Sequence, residues 1–396
     1  MFENQGDILR FVGDQGMKEK WEHKKIGDVC IVERGGSPRP IDDYITDSPN
    51  GINWIKIGDT NDSMFITQTA QKIKPEGMKK SRYVQPGDFL LSNSMSFGRP
   101  YILKIDGCIH DGWLVLRDNE EVFDKRFLYY YLSSKPTYEK FKMMAVGGVV
   151  NNLNSEMVRK VDIPIPHKNE QNQIADLFDK MNIVINKRKQ QLSNLDDLIK
   201  ARFVEMFGDP EINPKGWKKE PLKEHASVLV GYPFPSEGYT SEGIDIVGGY
   251  NLMQGYIQWD ESKHWPDANG YEQYLLQTND IVMAMDRPWV NGGFKVARVD
   301  AMHLPALLIQ RTACIRGNDL EQEFLYSQLN TKRFAEHCNI TGSLVPHISN
   351  KDINSFQVII PPIGEQRRFT DFIAQVDKSK CDTSNITSAT QYQLAS

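Results

Sequence analysis

The sequence is poor in cysteine and has no long apolar segment. Five cysteines are spread over 396 residues, and no two of them form a CxxC pair. This odd, dispersed set argues against a disulfide framework and a zinc site, and is typical of reduced thiols in a cytoplasmic protein. No apolar run reaches the about 18 residues of a transmembrane helix, and the first residues lack the apolar core of a signal peptide. We therefore expect neither a transmembrane helix nor a signal peptide.

Motifs that carry catalysis or cofactor binding are also missing. The chain has no Asn/Asp-Pro-Pro-Tyr/Phe element that could hold a flipped adenine, no GxGxxG after a strand and no GxxxxGK[ST] loop. Its eight histidines are dispersed, without HExxH or another paired metal spacing. We therefore predict a protein that binds no metal or cofactor of its own and catalyses no reaction.

Net charge does not by itself favour nucleic-acid binding. The chain has 47 Lys and Arg against 52 Asp and Glu, a net charge of −5, whereas cationic contacts to phosphate supply most non-specific affinity for DNA. A balanced total can hide a basic face, and lysine-rich clusters occur at 18–25, 72–82 and 135–142. Since most such clusters are solvated surface, charge excludes neither a DNA-binding nor a protein-binding role.

The most informative feature that is present is an internal duplication, offset by about 195 residues. Four segments match in the same order: the stretches opened by Trp21 and Trp217, GDFLLS (87–92) with NDIVMA (279–284), FLYYYLSSK (127–135) with FLYSQLNTK (324–332), and VDIPIPHKNEQNQIADLF (161–178) with QVIIPPIGEQRRFTDFI (357–373). The interior of each copy diverges. We infer two domains that are built alike and bind different things.

Each copy has the pattern of a mixed domain. Short apolar runs such as VCIVE, INWIKI, DFLLS, YILKI and WLVLR are bounded by Gly, Pro, Asn and Asp, as strands are, and helical stretches follow. The predicted fold class is α/β mixed (α+β), with two tandem similar domains separated by a long coiled-coil helix and a second, shorter C-terminal helix. The predicted bounds are an extension at 1–20, domains at 21–167 and 209–363, the central helix at 168–208, and the shortened helix with a tail at 364–396.

The central helix is predicted from a heptad stripe. No Pro or Gly occurs from Asn169 to Phe207, and apolar residues recur at alternating spacings of four and three, as in a coiled coil. Gly208 is expected to end the helix. At about 1.5 Å per residue the rod is roughly 60 Å long; the alternative is a long core helix of a single domain. The predicted spacer or partner-binding positions are Glu170, Gln171, Ile174, Phe178, Met181, Ile185, Leu192, Leu195 and Ile199.

The second copy begins the same helix. Its matching positions are Glu365, Gln366, Phe369 and Ile373. From Cys381 the chain is rich in Ser and Thr and loses the heptad, so we expect the second rod to be shorter than the first and to fray.

Together these residues resemble the specificity (S) subunit of type I restriction–modification systems, over about residues 21 to 378. The resemblance depends on the duplicated domain with a variable interior, and on GGSPRP (35–40), INWIKIGD (52–59), YVQPGDFLLS (83–92) and GSLVPHISNKDI (342–353). Its most specific element is a proline pair followed by Glu-Gln at the start of a helix, present twice. The first copy departs from the usual pattern, with VGGVVNNLNS in place of TGSLVPHIS.

The resemblance implies that each domain is a target-recognition domain that reads one half of a split site in double-stranded DNA. It implies helices that form an antiparallel spacer, two methyltransferase (M) subunits docked on the chain, restriction (R) subunits, and no membrane. S-adenosylmethionine, ATP and Mg are expected on those partners and not on this chain. The shortened terminal helix raises the hypothesis that a second S chain or an M subunit completes the bundle.

Candidate DNA contacts follow from the chemistry of base reading, in which Arg recognises guanine and Asn or Gln recognises adenine. Residues of these types follow the first and later strands of each copy: Arg34, Ser37, Arg39, Asn93, Ser94, Ser96 and Arg99, then Tyr232, Arg287, Trp289, Asn291 and Lys295. Gly35, Gly36, Pro38 and Gly231 are expected to shape turns. His347 suits a structural role as well as a DNA contact.

Two other functional classes remain open from the residues alone. An assembly protein with two protein-binding domains on a helical ruler would also have divergent domain interiors and an acidic net charge. Salt-sensitive binding to a bipartite duplex would separate it from a DNA reader. The third reading is an enzyme with an unrecognised site, which methyl transfer or cleavage by the isolated chain would establish.

Overall fold

The computed structural model describes residues 21–93, 98–118, 120–145, 152–290, 293–339 and 347–393, and only the backbone from Cys381 onward. Contacts divide the chain into two units, one that runs to Lys189 and takes in the segment from Asn385, and one from Gln190 to Ser384. Each unit therefore has one domain and part of the long helix. Among the described residues, no helix has the length and apolar character needed to cross a membrane.

The first domain is built on two five-stranded sheets. Its strands are β1 (Glu22–Lys25), β2 (Ile31–Arg34), β3 (Ile45–Thr46), β4 (Ile52–Ile55), β5 (Phe65–Ile66), β6 (Gln71–Ile73), β7 (Arg82–Val84), β8 (Phe89–Ser92), β9 (Pro100–Leu103), β10 (Gly107–Ile109), β11 (Trp113–Arg117) and β12 (Asp162–Ile165). The sheet orders are β2-β11-β8-β9-β5 and β3-β6-β4-β10-β7. Strands β1 and β12 pair antiparallel, with Glu22 opposite Ile165, and so join the two ends of the domain.

The helices of the first domain cover the sheet that contains β8 and β11. They are α1 (Ile26–Val29), α2 (Lys125–Ser133), α3 (Lys135–Ala145) and α4 (Ser155–Arg159). Asp124 caps α2 by accepting hydrogen bonds from two backbone N–H groups of its first turn. Phe127 and Leu128 of α2 pack in one apolar cluster with Phe89 and Leu114 of the sheet. The strands and helices predicted from the apolar runs are therefore confirmed.

The second domain repeats this arrangement. Its elements are β13 (Lys218–Pro221), β14 (Ala226–Val230), β15 (Ile244–Val247), β16 (Lys263–Trp265), β17 (Ile281–Ala284), β18 (Trp289–Val290), β19 (Gly293–Phe294), β20 (Val296–Arg298), β21 (Ala306–Leu308), β22 (Thr312–Gly317), α6 (Gln322–Leu329), α7 (Lys332–His337), α8 (Asn350–Ser355) and β23 (Gln357–Ile360). The order β14-β22-β17-β20 matches β2-β11-β8-β9. Each domain has a parallel strand pair at the matching place, β4 with β10 and β15 with β21, and in the first domain β5 and β9 are also parallel.

Matching side chains occupy matching places in the two copies. Arg117 on β11 donates from Nε to Asp88 at 3.1 Å, and Arg316 on β22 donates from Nε to Asp280 at 2.7 Å. Two residues before β8 and before β17 the backbone is left-handed, with φ 95° at Gly87 and 67° at Asn279. Glycine and asparagine are the residues that adopt this conformation most readily. The duplication predicted from the sequence is thus confirmed.

The long helix α5 (Lys168–Phe207) ends as predicted. Gly208 has φ 78°, and its N–H donates to the carbonyl of Val204 at 2.8 Å, which is the left-handed cap that stops a helix. From Met181 onward the predicted positions 181, 185, 192, 195 and 199 are half-buried, and Arg188, Arg202 and Met206 continue the same half-buried stripe. The alternating spacing of four and three therefore marks the side of α5 that is partly covered.

The first turns of α5 differ from the predicted seam. Ile174 and Phe178 are buried in the core of the first domain, where the ring of Phe178 stacks on Tyr130 at 4.8 Å. Their apolar character serves the docking of the helix on its own domain. The periodicity could not separate the two uses, because a docked turn and a spacer seam need the same spacing.

In the second unit, α5 packs antiparallel against α9 (Ile363–Gln393). Phe369 near the start of α9 contacts Phe207 near the end of α5, with ring centroids 5.6 Å apart. Further along, Lys380 of α9 reaches Asp196 of α5 at 2.7 Å. The pairing thus runs in opposite directions along the two helices, as the spacer hypothesis requires.

The second helix is shorter than the first, as predicted, but the expectation that it fails from Cys381 is wrong for the backbone. It continues to Gln393, giving 31 residues against 40 in α5. The Ser- and Thr-rich segment lowers helix propensity without breaking the chain, since no Gly or Pro follows Gly364.

Charged side chains tie each domain to its helix, with opposite signs at matching positions. In the first unit Arg126 of α2 donates to Asp176 at 2.8 Å and to Asp179 at 2.6 Å, both on α5. In the second unit the matching residue of α6 is Glu323, which accepts from Arg298 of β20. Arg298 in turn donates to Asp377 of α9 at 3.0 Å.

The glutamine of each Glu-Gln pair anchors its helix to the domain. The amide oxygen of Gln171 accepts from the N–H of Asp124 at 2.6 Å, and its Nε2 donates to the Pro166 carbonyl at 2.9 Å. Gln366 repeats this, accepting from the N–H of Glu321 at 3.0 Å and donating to the Pro361 carbonyl at 2.8 Å. Both side chains are buried. They were predicted as spacer or partner positions, and the structure uses them to position the helix start.

Replacing either glutamine with alanine is expected to destabilise its own domain by about 1–3 kcal/mol, because buried backbone groups lose their partners. Denaturant unfolding followed by hydrogen exchange would assign the loss to one domain. Gln173→Ala and Gln375→Ala, at exposed positions of the same helices, are the matched controls. Equal stability of Gln171→Ala and Gln173→Ala would contradict the anchoring role.

Candidate nucleic-acid interface

Three loops of the first domain meet at one end of its β2-β11-β8 sheet. Both β2 and β8 are antiparallel to β11, with Arg34 opposite Leu114 and Ser92 opposite Trp113. The loop after β2, the loop after β8 and the loop before β11 therefore lie side by side. Polar residues singled out from the sequence fall in the first two of these loops.

The centre of this loop cluster is Asp111, which the sequence did not single out. Its carboxylate accepts from the Ser37 hydroxyl at 2.6 Å and lies 3.5 Å from Arg39 Nη2. Its backbone carbonyl accepts from Arg34 Nε at 3.1 Å and from Asn93 Nδ2 at 2.9 Å. The Ser37 hydroxyl holds the pKa of Asp111 below its usual range. Four predicted contact residues are thus brought together on one aspartate.

The close approach of these loops requires glycine. The N–H of Gly35 donates to the Trp113 carbonyl at 2.9 Å, and a Cβ added to Gly35 would lie 2.1 Å from the carbonyl oxygen of His110. In the second domain a Cβ on Gly231 would lie 2.1 Å from the carbonyl oxygen of Ile309. These glycines were predicted to shape turns, whereas the structure shows that they permit a close backbone contact between two loops.

The second domain has the same three loops and a different acidic centre. Asp286, in the loop after β17, pairs with Nδ1 of His347 and lies 3.1 Å from Arg311 Nη1. Arg311 precedes β22, and its carbonyl accepts from the N–H of Met285 at 2.9 Å. The loop after β14 joins them, since Gln310 donates to the Tyr232 carbonyl at 2.8 Å. Neither Asp286 nor Arg311 was predicted.

The predicted residues of the second domain have different surroundings. Tyr232 is half-buried among aromatic rings, 4.9 Å from Tyr271. Trp289 is half-buried on the core and pairs with Phe294 in a short hairpin. The ammonium of Lys295 donates to the Gly249 carbonyl, and burial lowers its pKa. In this structure the Lys295 ammonium, predicted as a DNA contact, is thus hydrogen-bonded to a backbone carbonyl of its own domain.

Two further predicted residues are exposed arginines. Arg99 follows the loop after β8, where its N–H donates to the Ser92 hydroxyl at 3.0 Å. Arg287 follows Asp286 with a left-handed φ of 46°. Ser94, Ser96 and Asn291, also predicted, lie outside the described residues.

The acidic centres were not predicted because the candidates were chosen by the side-chain types that contact bases and phosphates, chiefly Arg, Lys, Asn and Ser, which leaves out Asp111 and Asp286. The signal that could have found Asp111 is its place in His-Asp-Gly, a turn between two predicted strands. Asp286 and Arg311 lie on separate loops, and no pattern in the sequence indicates that these two positions are close in space.

Metal and thiol chemistry have no arranged site in the described part of the chain. No group of three His, Cys, Asp or Glu side chains there could hold a metal ion. Cys30, Cys108, Cys314 and Cys338 are free and buried. Burial raises the pKa of Cys30 and of Cys338 to about 12, which keeps both as unreactive thiols.

Comparison with known proteins agrees with this architecture along the whole chain. The family described as Type I restriction modification DNA specificity domain matches twice, at residues 18–194 and 215–390. The type I restriction enzyme MjaVIII specificity subunit of Methanocaldococcus jannaschii is 23% identical over 397 residues, 93% of this chain and 91% of the relative. The EcoAI specificity subunit of Escherichia coli is 34% identical over 160 residues, 39% of this chain and 27% of the relative.

Solved structures share the fold. A chain from a study of complex assembly and conformational transition of the type I R-M system has a TM-score of 0.54 at 17% identity, covering 94% of each chain. The S subunit of the Type-I restriction-modification system from M. genitalium has a TM-score of 0.50 at 14% identity, covering 96% of each chain. The two family matches span most of the chain, and each takes in one domain and most of the helix segment that follows it, the first part of α5 in one case and α9 in the other. This chain therefore belongs to the type I restriction–modification DNA specificity family.

Proposed function

We propose that this chain selects a two-part DNA site, with one half read by each domain, and directs the other subunits of a type I restriction–modification enzyme to it. The observation that carries the proposal is the pair of loop clusters at matching sheet ends. The frame of each cluster is the same, whereas its polar residues differ. Two readers with one frame and different side chains suit a site with two unrelated halves.

The chemistry of the clusters fits DNA. The first offers the exposed guanidinium groups of Arg34 and Arg39, the group that reads guanine edges, whereas Asn93 is buried beneath them and donates to the Asp111 carbonyl. The second offers Arg287 and Arg311 with His347. These residues make up the proposed reading ends.

The remaining activities belong to partners. The proposal includes two methyltransferase subunits docked on the helices and domains, and restriction subunits joined to them. S-adenosylmethionine, ATP and Mg are assigned to those subunits, in the cytoplasm where the DNA is. The antiparallel packing of α5 and α9 in the second unit supports a helical spacer that sets the distance between half-sites.

Co-expression with the neighbouring methyltransferase gene, followed by sequencing that maps N6-methyladenine, tests the proposal directly. A split motif with two fixed halves and an unspecified gap is the expected result. A stable complex without methylation would contradict site selection by this chain. Absence of any complex, together with salt-insensitive binding to DNA, would favour an assembly protein instead.

A further inference from the structure

Each proposed reading end contains an aspartate that is more covered than the cations it holds. The side chain of Asp111 is 44% exposed and that of Arg39 is 81% exposed. The side chain of Asp286 is 33% exposed and that of Arg311 is 72% exposed. In both domains the arginine side chain is thus more exposed to solvent than the carboxylate with which it pairs.

The two aspartates are not equivalent in the duplication. The N–H of Asn93 donates to the Gly112 carbonyl, and the N–H of Met285 donates to the Arg311 carbonyl, which matches Gly112 with Arg311. Asp111 therefore corresponds to Gln310, and Asp286 has its counterpart at position 94 of the first domain. In each domain an aspartate thus pairs with an arginine at the same end of the sheet, but the two aspartates lie on loops that do not correspond.

We propose that Asp111 and Asp286 are positioning residues for base reading. In the second domain, Asp286 positions Arg311 and His347, which contact the bases. The inference rests on the proposed function and extends it to the residues that decide specificity. Asp111 holds Arg39 and Ser37 through its side chain, and Arg34 and Asn93 through its carbonyl. Asp286 holds Arg311 and His347 through its two carboxylate oxygens.

The physical reason is the loss of freedom on binding. An arginine side chain has many rotamers, and fixing it at a base edge costs conformational entropy unless it is held beforehand. A carboxylate that accepts a hydrogen bond from one guanidinium N–H group fixes the side chain. The remaining N–H groups of the guanidinium can then donate to guanine. Each carboxylate also faces two donors, which offsets its repulsion of nearby phosphate.

Backbone geometry in the second domain supports the assignment. Arg287, next to Asp286 in the loop after β17, and Arg311, in the loop before β22, have left-handed φ values of 46° and 63°. This conformation is uncommon for residues other than Gly, Asn and Asp, and it is found where surrounding structure imposes it at functional sites. Exposed ion pairs add little to stability, so stability alone does not account for the arrangement.

The test compares Asp111→Asn and Asp286→Asn in the intact complex with the methyltransferase subunits. Asparagine keeps the size of the side chain and removes the charge. We expect Asp111→Asn to relax the motif in the half read by the first domain and Asp286→Asn in the other half. At the affected half-site, the ratio of methylation at the wild-type motif to methylation at sites with another base should fall at least about tenfold. The melting temperature of the protein should not change.

Matched controls come from the opposite end of each domain. Asp106 follows β9 and accepts from Tyr83, and Asp300 follows β20 and pairs with His303 at 2.8 Å. β9 runs antiparallel to β8, and β20 runs antiparallel to β17. Because β8 and β17 lead into the reading ends, Asp106 and Asp300 lie at the opposite ends of the two sheets. Asp106→Asn and Asp300→Asn should leave the motif intact.

Arg311→Lys and His347→Gln should each relax only the half that Asp286→Asn relaxes. Wild-type specificity in both asparagine variants would overturn the positioning role, and so would equal relaxation of both halves by either variant. Absence of any split motif in the wild-type complex would overturn the proposed function and this inference with it. A wild-type motif with unaffected variants would leave the proposed function standing and reject only the inference.

Discussion

Replacing Gly231 with alanine is expected to destabilise the second domain by about 1–3 kcal/mol and to abolish recognition of its half-site. The added Cβ would lie 2.1 Å from the Ile309 carbonyl oxygen, and both partners are backbone, so neither can move alone. Separation of the loops would stretch the hydrogen bond from Gly231 N–H to the Thr312 carbonyl, now 3.1 Å. Denaturant unfolding and binding to a duplex that contains the site would measure the two effects.

The matched variant is Gly249→Ala, in the same domain, where a Cβ meets nothing within 4 Å. In the first domain the corresponding pair is Gly35→Ala, with a contact of 2.1 Å to the His110 carbonyl oxygen, and Gly58→Ala, with none within 4 Å. If Gly231→Ala and Gly249→Ala behaved alike in both assays, the loop after β14 would not depend on this close approach.

The second large effect is expected at the joint between α9 and the second domain. Phe369→Ala should destabilise this domain by about 3–5 kcal/mol, the usual cost of emptying a buried aromatic site. The Phe369 ring is fully buried, with centroids 5.5 Å from Phe203 and 5.6 Å from Phe207 on α5. Hydrogen exchange during denaturant unfolding should place the loss in the second unit.

Phe372→Ala, three residues further along α9, is the control. Its ring is half-buried and lies under the guanidinium of Arg202, with 5.6 Å from the guanidinium carbon to the ring centroid. This partly exposed contact contributes about 0.5–1 kcal/mol. A loss at Phe372 as large as that at Phe369 would mean that the helix pair, and not the aromatic core, determines stability there.

The frame of the fold could be predicted from the sequence because local patterns define it. Short apolar runs bounded by Gly, Pro, Asn and Asp predicted the strands, Gly208 predicted the end of α5, and repeated segments predicted the duplication. The role of Ile174 and Phe178 could not be predicted, because one apolar stripe fits both a docked helix turn and a spacer seam. The helical continuation past Cys381 was missed because low propensity was taken for a stop.

The candidate site was predictable only in part, and for a physical reason. Arg34, Ser37, Arg39 and Asn93 were found by residue type, and they do converge on one place. Their convergence depends on Asp111, which lies on a third loop. In the second domain Lys295 was a reasonable candidate by charge, but its partner is the Gly249 carbonyl, a backbone group that no sequence pattern reveals.

The opposite charges at Arg126 and Glu323 have a consequence for how such genes can recombine. Transfer of the second domain onto the first helix would set Glu323 beside Asp176 and Asp179, where Arg126 now lies. The reverse transfer would remove Arg298 together with the second domain and bring Arg126 near Asp377 of α9, a pair of opposite charges. Crossovers that keep each domain with its own stretch of helix avoid the clash of the first exchange. We therefore expect the body of the second domain to be exchanged only together with its helix, whereas the loops alone can be exchanged in either direction.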